Sequence, residues 1–512
     1  MSWKFYGRNL ELESMRKLLT AQRWFFCAIS GRRRIGKTSL IRESLLALPE
    51  AQKAIYLQVP DSDERDVVAV FADALLAAAP LGLPSGVSPA ALHRFADMAR
   101  AIGTLCRAGW IVILDEFQYF NRKSLAAFAS LLQAEVDSLT GSSSGGIFVL
   151  GSIHTEMTAL LEDRGSPLYA RVTDRMTLDH WDFATLFQVF ADQGVTEPGD
   201  WLTLWGLFEG VPKFYRDCAH QNVFAADTTG TGTSVTVSTG MRAVEALFFS
   251  ASAPLVEEAG TWFMRELRGA NVSILRLLSQ QQPCTHQHLS EAYTQSFGDA
   301  KTFASYLPVL LDRYRLIERQ LPVFAPQSGS RQARYRISDN FLAAWLAAIE
   351  PGVQAARVQP LSRALTITAD RLANHEGLVF ERMIRKLMAE ASRCAVGDFA
   401  LTDIVTGYWN RPRDAQRLIE IDIVAINEAD KIVRFGSCKR SDTKHTTEAL
   451  MKTAQHIQDF LATTSGKRFK GWQQQRALYA PAFSPDRRAH LTAKGWICVD
   501  LTDMRGWLAP NL

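Results

Sequence analysis

Residues 31–38, with the letters GRRRIGKT, match the pattern G-x-x-x-x-G-K-[ST]. The apolar run at 24–29 comes directly before them and predicts a buried strand, and a helix-like segment follows them. A strand before and a helix after is the context that this pattern requires. The motif therefore predicts a P-loop at the edge of a parallel α/β sheet, with a nucleoside triphosphate as its ligand.

The chemistry of a P-loop explains why these residue types are needed. Gly31 and Gly36 allow backbone angles that point successive amide groups at phosphate oxygens. We expect Lys37 to reach the β- and γ-phosphates and the Thr38 hydroxyl to bind a magnesium ion. The remaining loop positions are assigned to the same nucleotide site: Arg32, Arg33, Arg34, Ile35 and Ser39.

A second apolar run, 110–114, is typical of a strand buried on both faces of a parallel sheet. It ends in Asp115 and Glu116, and ligands of open α/β sheets bind at the carboxyl ends of such strands. We expect Asp115 to hold magnesium and Glu116 to polarise the water that attacks the γ-phosphate. The alternative is that this acidic pair begins a solvated loop.

A third buried strand is predicted over 147–150, and Ser152 follows it closely. Ser152 is a candidate polar sensor that contacts the γ-phosphate or the attacking water. Serine after a strand is also common in turns and helix caps, so that reading stays open.

The length of 512 residues predicts roughly three or four domains. No run of 18 uncharged apolar residues occurs and the first residues lack an apolar segment, so we expect neither a membrane span nor export. Seven cysteines without a C-x-x-C pair indicate a reducing cytoplasm. Residues 371–512 carry a net charge of +6, which suits a polyanionic partner but equally suits simple solubility.

Several segments together resemble the archaeal-type ATPase family, a group of P-loop proteins within the AAA+/STAND class. They are FYGRNLELESMRKLL at 5–19, GRRRIGKTSLI at 31–41, VILDEFQYF at 112–120, LGSIHTEM at 150–157 and SPLYARVT at 166–173. LFEGVPKFY at 207–215 matches the G-G-x-P segment of that family, except that Glu209 replaces the first glycine.

The resemblance implies ATP and Mg²⁺ as ligands and adds three site residues. Arg8 is implied to lie near the adenine end of the nucleotide, and Pro212 is implied to close the site from a helical lid. Arg171 is a candidate sensor of developing phosphate charge, because its guanidinium is always ionised. A surface ion pair is the alternative for Arg171.

The middle of the chain is predicted to hold a linker and a winged helix. The Thr/Gly/Ser-rich stretch 226–240 lacks core-forming residues. Residues 270–337 follow the order helix, helix, helix, hairpin, with the third helix over 301–320. That helix is the one a winged helix offers to the DNA major groove; in the resembled family such a module packs beside the ATPase lid, and we favour that role here.

The C-terminal region, 375–503, follows the order helix, strand, strand, helix, strand. With G-x-x-F-E at 377–381, E-I-D at 420–422 and S-C-K at 437–439, it resembles the restriction-endonuclease-like fold of PD-(D/E)xK nucleases. Members of the resembled ATPase family often carry such a domain.

Alternation along the strands places Glu420 and Asp422 on one face, with Lys439 close to Asp422 across a hairpin. A nuclease of this kind needs carboxylates for a second Mg²⁺ or Mn²⁺ and a lysine beside them. The resemblance supplies Glu381 as a further acid. Ser437 stands where another acid is expected, and Glu448 on the following helix is the available substitute. The alternative is an inactive module that retains DNA binding or packing.

The fold class that follows is α/β: a P-loop NTPase parallel sheet with a helical lid, a winged helix and a C-terminal α/β restriction-endonuclease-like domain. The predicted ranges are 1–180 for the ATPase core, 181–260 for the lid and linker, 261–345 for the winged helix and 346–512 for the nuclease-like domain. The leading hypothesis is an ATP-hydrolysing switch that acts on DNA through its C-terminal domain, without a membrane partner and with oligomerisation left open. An ATP-regulated metal-dependent endonuclease and a non-catalytic DNA-binding scaffold are the alternatives.

Overall fold

The computed structural model describes residues 3–48, 53–141, 144–152, 154–225, 237–258, 270–298, 300–326, 332–410 and 417–512. The chain forms two compact units. The first consists of Met1–Trp181 with Val211–Lys213, and the second of Asp182–Gly210 with Phe214–Leu512. The domain ranges inferred from the sequence stay predictions, and those that divide at residues 260 and 345 do so inside the second unit.

The first unit is built on five parallel strands in the order β2-β3-β4-β1-β5. Their bounds are β1 (Phe25–Gly31), β2 (Ala54–Gln58), β3 (Ile111–Asp115), β4 (Gly146–Gly151) and β5 (Asp174–Leu178). The central strands β3 and β4 are buried along their whole length, as their apolar runs predict. The edge strands β2 and β5 were not predicted: β2 has exposed residues at alternate positions, and β5 begins with the polar residues Asp174 and Arg175 and is buried only at its last residue.

Among the described residues of the first unit, six α-helices accompany this sheet. They are α1 (Asn9–Thr20), α2 (Lys37–Leu46), α3 (Glu64–Ala78), α4 (Phe95–Arg107), α5 (Ala127–Leu139) and α6 (His154–Leu161). Helix α3 begins where the Asp63 carboxylate accepts hydrogen bonds from two backbone amides of its first turn. Helices α3, α4 and α5 bury their apolar faces in one core with β3 and β4, which holds the carboxyl ends of these strands in place.

The second unit begins with short helices: α7 (Phe183–Asp192), α8 (Pro198–Phe208), α9 (Pro212–His220), α10 (Thr239–Val244) and α11 (Val256–Glu258). The first residues of α9 belong to the first unit. Most of the predicted linker 226–240 lies outside the described residues; its last two residues open α10.

A small antiparallel sheet with three helices follows. The order along the chain is α12 (Ala270–Gln281), β6 (Cys284–Thr285), α13 (His286–Phe297), α14 (Ala300–Pro308), β7 (Ile317–Gln320) and β8 (Arg334–Ile337), and the sheet order is β6-β8-β7. The predicted third helix over 301–320 was too long. Helical turns end at Arg313, and Ile317–Gln320 pairs with β8 as a strand, in which Ile317 is the buried residue.

The remainder holds three helices and a mixed sheet with further helices. The helices α15 (Asn340–Ala344), α16 (Glu350–Ala356) and α17 (Leu361–Arg393) precede the sheet, whose strands are β9 (Ile404–Trp409), β10 (Glu420–Asn427), β11 (Ile432–Cys438), β12 (Gln473–Ala480) and β13 (Ile497–Asp500). Helices α18 (Thr447–Ala462), α19 (Pro485–Ala493) and α20 (Leu501–Leu508) complete the unit.

Strand order in the mixed sheet is β13-β12-β11-β10-β9. Strands β9, β10 and β11 pair antiparallel, whereas β11, β12 and β13 pair parallel. The predicted hairpin joins β10 to β11. Strand β9 was missed in the sequence, because its first residues are partly exposed and carry no apolar run. Within the described part of the chain, no helix combines the length and apolar character needed to cross a lipid bilayer.

Candidate functional site

The loop between β1 and α2 has a conformation that only glycine accommodates at two positions. Gly31 has φ 153°, and a Cβ there would lie 2.7 Å from the carbonyl oxygen of Leu178 on β5. Gly36 has φ 96° and lies against the ring of Pro212. Both fixed glycines of the motif are therefore required by the backbone, independently of any ligand.

Lys37 opens α2 and its side chain turns back under the loop. Its Nζ donates to the backbone oxygens of Gly31 at 2.9 Å and Arg32 at 3.2 Å. Burial lowers the pKa of Lys37 to about 8, against the opposing effect of Glu116 and Asp115. The ammonium group is thus held where little water competes for it, which strengthens its attraction for an anion.

Thr38 and Asp115, the predicted magnesium pair, lie in direct contact. Thr38 Oγ1 donates to Asp115 Oδ2 at 2.6 Å, although 77 residues separate them. Tyr56 on β2 donates its hydroxyl to the same oxygen at 2.8 Å. Burial and the nearby Asp115 raise the pKa of Tyr56, so its hydroxyl remains a donor. A hydroxyl and a carboxylate side by side are hard oxygen donors of the kind that magnesium prefers.

Glu116 lies next to this pair and is held by two neighbours. It has φ 56°, and its amide donates to Asp115 Oδ1 at 2.8 Å. The Glu116 carboxylate accepts from the amide of Gln118 and from Ser152 Oγ at 3.4 Å. Ser152 also donates its backbone amide to Gln118 Oε1 at 3.3 Å. The carboxylate is therefore oriented by a polar network at the carboxyl ends of β3 and β4.

Two residues of this site were not predicted from the sequence. Gln118, 3% exposed, lies in a short 3₁₀ turn after β3, and Tyr56 lies on an edge strand. The letters EFQ at 116–118 place a glutamine two residues after the acidic pair, and that proximity could have indicated Gln118 as a site residue. Tyr56 has no comparable signal, because its contact with Asp115 depends on the pairing of β2 with β3.

Arg8 and Pro212 both lie against the P-loop. Arg8 has φ 64°, and its guanidinium donates to the backbone oxygens of Ile35 at 3.3 Å and of Asp179, and pairs with Glu11 at 3.1 Å. Its contacts thus brace the loop against the end of β5.

The other predicted loop residues differ in exposure. Ile35 is buried, Arg33 and Ser39 are exposed, and Arg34 has φ 68°. Arg32 lies 3.3 Å from His180 Nε2. These side chains share no single environment, so the contribution of these positions to the predicted phosphate site comes from their backbone.

Arg171 contacts a carboxylate of a neighbouring helix. Its Nε and Nη2 donate to the two carboxylate oxygens of Asp137 on α5, at 2.7 and 2.9 Å. This bidentate pairing raises the pKa of Arg171 and lowers that of Asp137. The ion pair is the alternative that the sequence left open for this residue.

A second cluster of predicted residues lies in the second unit. Lys439 Nζ is 3.8 Å from Asp422 Oδ2, which accepts from Ser437 Oγ at 3.2 Å and from the amide of Cys438 at 2.8 Å. Burial, and then the nearby Asp422, raise the pKa of Glu381 on α17 to about 8.

The other two predicted acids have surroundings of their own, although Glu420 is near enough to Glu381 to raise its pKa. Glu420 pairs with Arg334 at 2.6 Å, and Glu448 is exposed in the first turn of α18. Among the described residues, no group of three or more His, Cys, Asp or Glu side chains is placed to hold a metal ion. Glu448 as the substitute for the acid expected at Ser437 stays a prediction.

Comparison with known proteins identifies the first part of the chain. Residues 5–214 match the family described as an ATPase domain predominantly from Archaea, and residues 345–450 match a family of archaeal and bacterial proteins of unknown function. Residues 5–214 are thus similar to an archaeal-type P-loop ATPase domain. The resemblance drawn from the sequence is thus confirmed for this domain.

Relatives extend the likeness beyond the ATPase domain. An uncharacterized protein of Methanocaldococcus jannaschii is 24% identical over 450 residues, which cover 86% of this chain and 88% of that protein. A Walker-type ATPase of Pyrococcus abyssi has a TM-score of 0.50 at 17% identity, over 67% of this chain and 96% of its own. The ORC2 protein of Aeropyrum pernix has a TM-score of 0.45 at 15% identity, over 72% and 94%. At 17% identity the Pyrococcus abyssi structure speaks for the fold alone.

Proposed function

We propose that this protein is an ATP-hydrolysing switch whose reaction takes place at the P-loop. One observation carries the proposal: the Thr38 hydroxyl and the Asp115 carboxylate meet at 2.6 Å, and the next residue along the chain, Glu116, has an oriented carboxylate. This juxtaposition joins the end of β3 to the start of α2, and a P-loop alone would not require it. The name of the Walker-type relative from Pyrococcus abyssi supports the same activity.

Each residue has a defined part in the reaction. The loop amides and Lys37 bind the phosphates, and little water competes for the buried Lys37 ammonium group. Thr38 and Asp115 would hold Mg²⁺, which neutralises charge on the phosphate oxygens. Glu116 accepts a proton from the attacking water while Gln118 and Ser152 hold its carboxylate in position. Arg8 and Pro212 support the loop from its two sides.

ATP turnover tests this proposal. Lys37→Ala should abolish ATP binding, and Glu116→Gln should retain binding but lose hydrolysis by a factor of about 10² to 10⁴. Lys17→Ala, an exposed lysine of α1, is the matched control and should keep both properties. Chelation of magnesium should stop turnover in the unaltered protein. Unchanged ATP affinity in Lys37→Ala, or full turnover in Glu116→Gln, would contradict the proposal and leave a static nucleotide-binding scaffold.

A second candidate function is metal-dependent cleavage of DNA in the second unit, regulated by ATP. The observation that favours it is the convergence of Asp422, Lys439 and Glu381 from β10, the end of β11 and α17. Two carboxylates on one hard cation give weak chelation, so the metal would need oxygens from the DNA as well. The restriction-endonuclease-like assignment and the coupling to DNA belong to this proposal.

Cleavage of plasmid and single-stranded DNA in Mg²⁺ or Mn²⁺ tests the second candidate. Activity should disappear in Asp422→Ala and in Lys439→Ala but persist in Lys444→Ala, an exposed lysine shortly after them. If no DNA form is cut in either metal, the second unit has a packing or DNA-binding role. The ATPase proposal is unaffected by that outcome.

A further inference from the structure

A cavity of about 450 Å³ lies entirely within the second unit. One wall comes from the small sheet with β6 and β8, and the other from α17. Its lining carries four arginines and two glutamates, among polar side chains such as Gln282, Thr285 and Asn340. A space of this size with convergent polar groups is typical of a small-molecule site.

Positive charge is concentrated on one side of this cavity. Arg336 pairs with Glu318 at 2.5 Å, and Arg382 pairs with Glu209 at 2.8 Å and donates to Asn340 Oδ1 at 2.5 Å. Burial and the neighbouring Arg382 lower the pKa of Arg336 to about 10. Two guanidinium groups are thus close enough to oppose each other's charge.

The two remaining arginines lie nearer the carboxylates of the lining. Arg385 donates to the backbone oxygen of Asp422 at 2.6 Å and lies 3.4 Å from Glu381, whereas Arg334 pairs with Glu420 at 2.6 Å. Each guanidinium has five N–H donors, and these bonds use only some of them. Glu420 and Glu381, the two glutamates of the lining, are thus paired with Arg334 and Arg385.

His375 supplies an independent observation. The residue is 5% exposed and lines the cavity, and its Nε2 has no hydrogen-bond partner among the described residues. Burial lowers the pKa of His375 to about 4. The ring is therefore neutral at pH 7 and has one acceptor nitrogen, a role that Nε2 without a partner can fill. A buried acceptor without a partner costs free energy that a ligand can recover.

We propose that this cavity binds a phosphate monoester that also carries a hydroxyl or amino group, as a mononucleotide does. Phosphate oxygens would accept from Arg336 and Arg382, because planar guanidinium forks match the geometry of phosphate. The hydroxyl or amino group would donate to His375 Nε2. The ligand is either a free mononucleotide or the phosphorylated end of a DNA strand, since both present the same chemistry. The site is independent of the P-loop reaction.

Binding is best measured in full-length Lys37→Ala, in which the P-loop no longer competes for phosphate. The probes are adenosine 5′-monophosphate and two short oligothymidylates, one with a 5′-phosphate and one with a 5′-hydroxyl. We expect Arg336→Gln and His375→Phe each to weaken binding about tenfold, as loss of a charge-assisted or buried hydrogen bond does. Arg363→Gln, the same change on an exposed part of α17, should have no effect.

The probes distinguish the two sources. Binding of the mononucleotide supports a free ligand, and binding of only the 5′-phosphorylated strand supports a DNA end. If neither binds, or if Arg336→Gln and His375→Phe bind as tightly as the Lys37→Ala parent, the proposal is overturned. If a variant does not fold, amide hydrogen exchange on the Lys37→Ala parent tests the proposal instead. The amides of residues 375–385 should exchange more slowly in saturating probe, and unchanged exchange would also overturn the proposal.

Discussion

Glu116 shows how much a single side chain depends on its neighbours for its chemistry. A carboxylate at the end of a strand can adopt several rotamers, and only some direct an oxygen toward water beside the γ-phosphate. Here Gln118 and Ser152 limit that choice through hydrogen bonds to the carboxylate. Gln118 in turn is buried and accepts from the backbone of Ser152, so its own position is restrained.

Gln118→Ala should therefore impair the chemical step more than nucleotide binding. We expect kcat to fall roughly tenfold to a hundredfold while KM for ATP changes little, because the base is misplaced but the phosphate contacts remain. Steady-state ATP turnover measures both constants. Gln455→Ala on the surface of α18 is the control. A proportional rise in KM without loss of kcat would show that Gln118 serves binding instead.

At the scale of elements, α17 organises much of the second unit. Glu390 near its end accepts from the backbone amides of Phe183 at 2.9 Å and Ala184 at 3.0 Å, and so caps the start of α7. About two turns and one turn earlier, Arg382 and Lys386 pair with Glu209, at 2.8 and 3.3 Å, in the turn after α8. One helix thus fixes the ends of two others.

Glu209 also explains a departure from the family pattern. It stands where the resembled family has glycine, and it has φ 47°, a backbone conformation that glycine adopts readily. Its carboxylate is 1% exposed, and its ion pairs with Arg382 and Lys386 compensate for burial and for the backbone conformation. In this chain an ion-paired acid has taken the place of a conformationally free residue.

Glu209→Gly should destabilise the protein even though it restores the glycine of the family. Breaking a buried pair leaves Arg382 without its counter-ion, which typically costs about 3–5 kcal/mol, and relief of the backbone returns only about 1 kcal/mol. Thermal unfolding followed by circular dichroism should show a clear fall in Tm. Glu428→Gly, at an exposed ion pair with Arg468, should change Tm far less. An unchanged Tm in Glu209→Gly would mean that the ion pairs contribute nothing net.

On the scale of the whole molecule, the two units differ in how their sheets are built. The first has a parallel sheet whose central strands are buried on both faces, and the second has a mixed sheet with an antiparallel hairpin at its candidate site.

Stability of the whole chain should also respond to pH through buried histidines of the second unit. His445 is 1% exposed, contacts the backbone oxygen of Tyr479 at 3.1 Å, and has a pKa that burial lowers to about 4.

Acidification should destabilise the protein through His445. The unfolded chain takes up a proton below about pH 6.5, whereas the folded His445 stays neutral until about pH 4, so stability falls between these values. At pH 5 the loss from this residue is about 2 kcal/mol. The Tm of His445→Phe should therefore fall less between pH 7 and pH 5 than the Tm of the unaltered protein. His490→Phe, at an exposed position, should not; equal pH dependence in all three proteins would contradict the assignment.

Local patterns were sufficient to predict the ATPase core. Letters 31–38, the apolar runs before and after them and the acidic pair at 115–116 predicted a P-loop and its neighbouring carboxylates, and the ATPase domain assignment is confirmed. These features are readable because a buried parallel strand needs an unbroken apolar run and a phosphate loop needs glycine at fixed positions. In the C-terminal part, strand alternation placed Asp422 and Lys439 near each other for the same kind of local reason.

What the letters could not decide were contacts between elements distant in the chain. Tyr56 reaches Asp115 only because β2 pairs with β3, and Arg171 faces Asp137 because of how α5 packs. The cavity beside His375 exists only because α17 lies against the small sheet. Such contacts depend on packing among many residues rather than on any periodic signal. The sequence thus determined that this chain has an ATPase core, and the tertiary structure decided which side chains support that core and where a second ligand could bind.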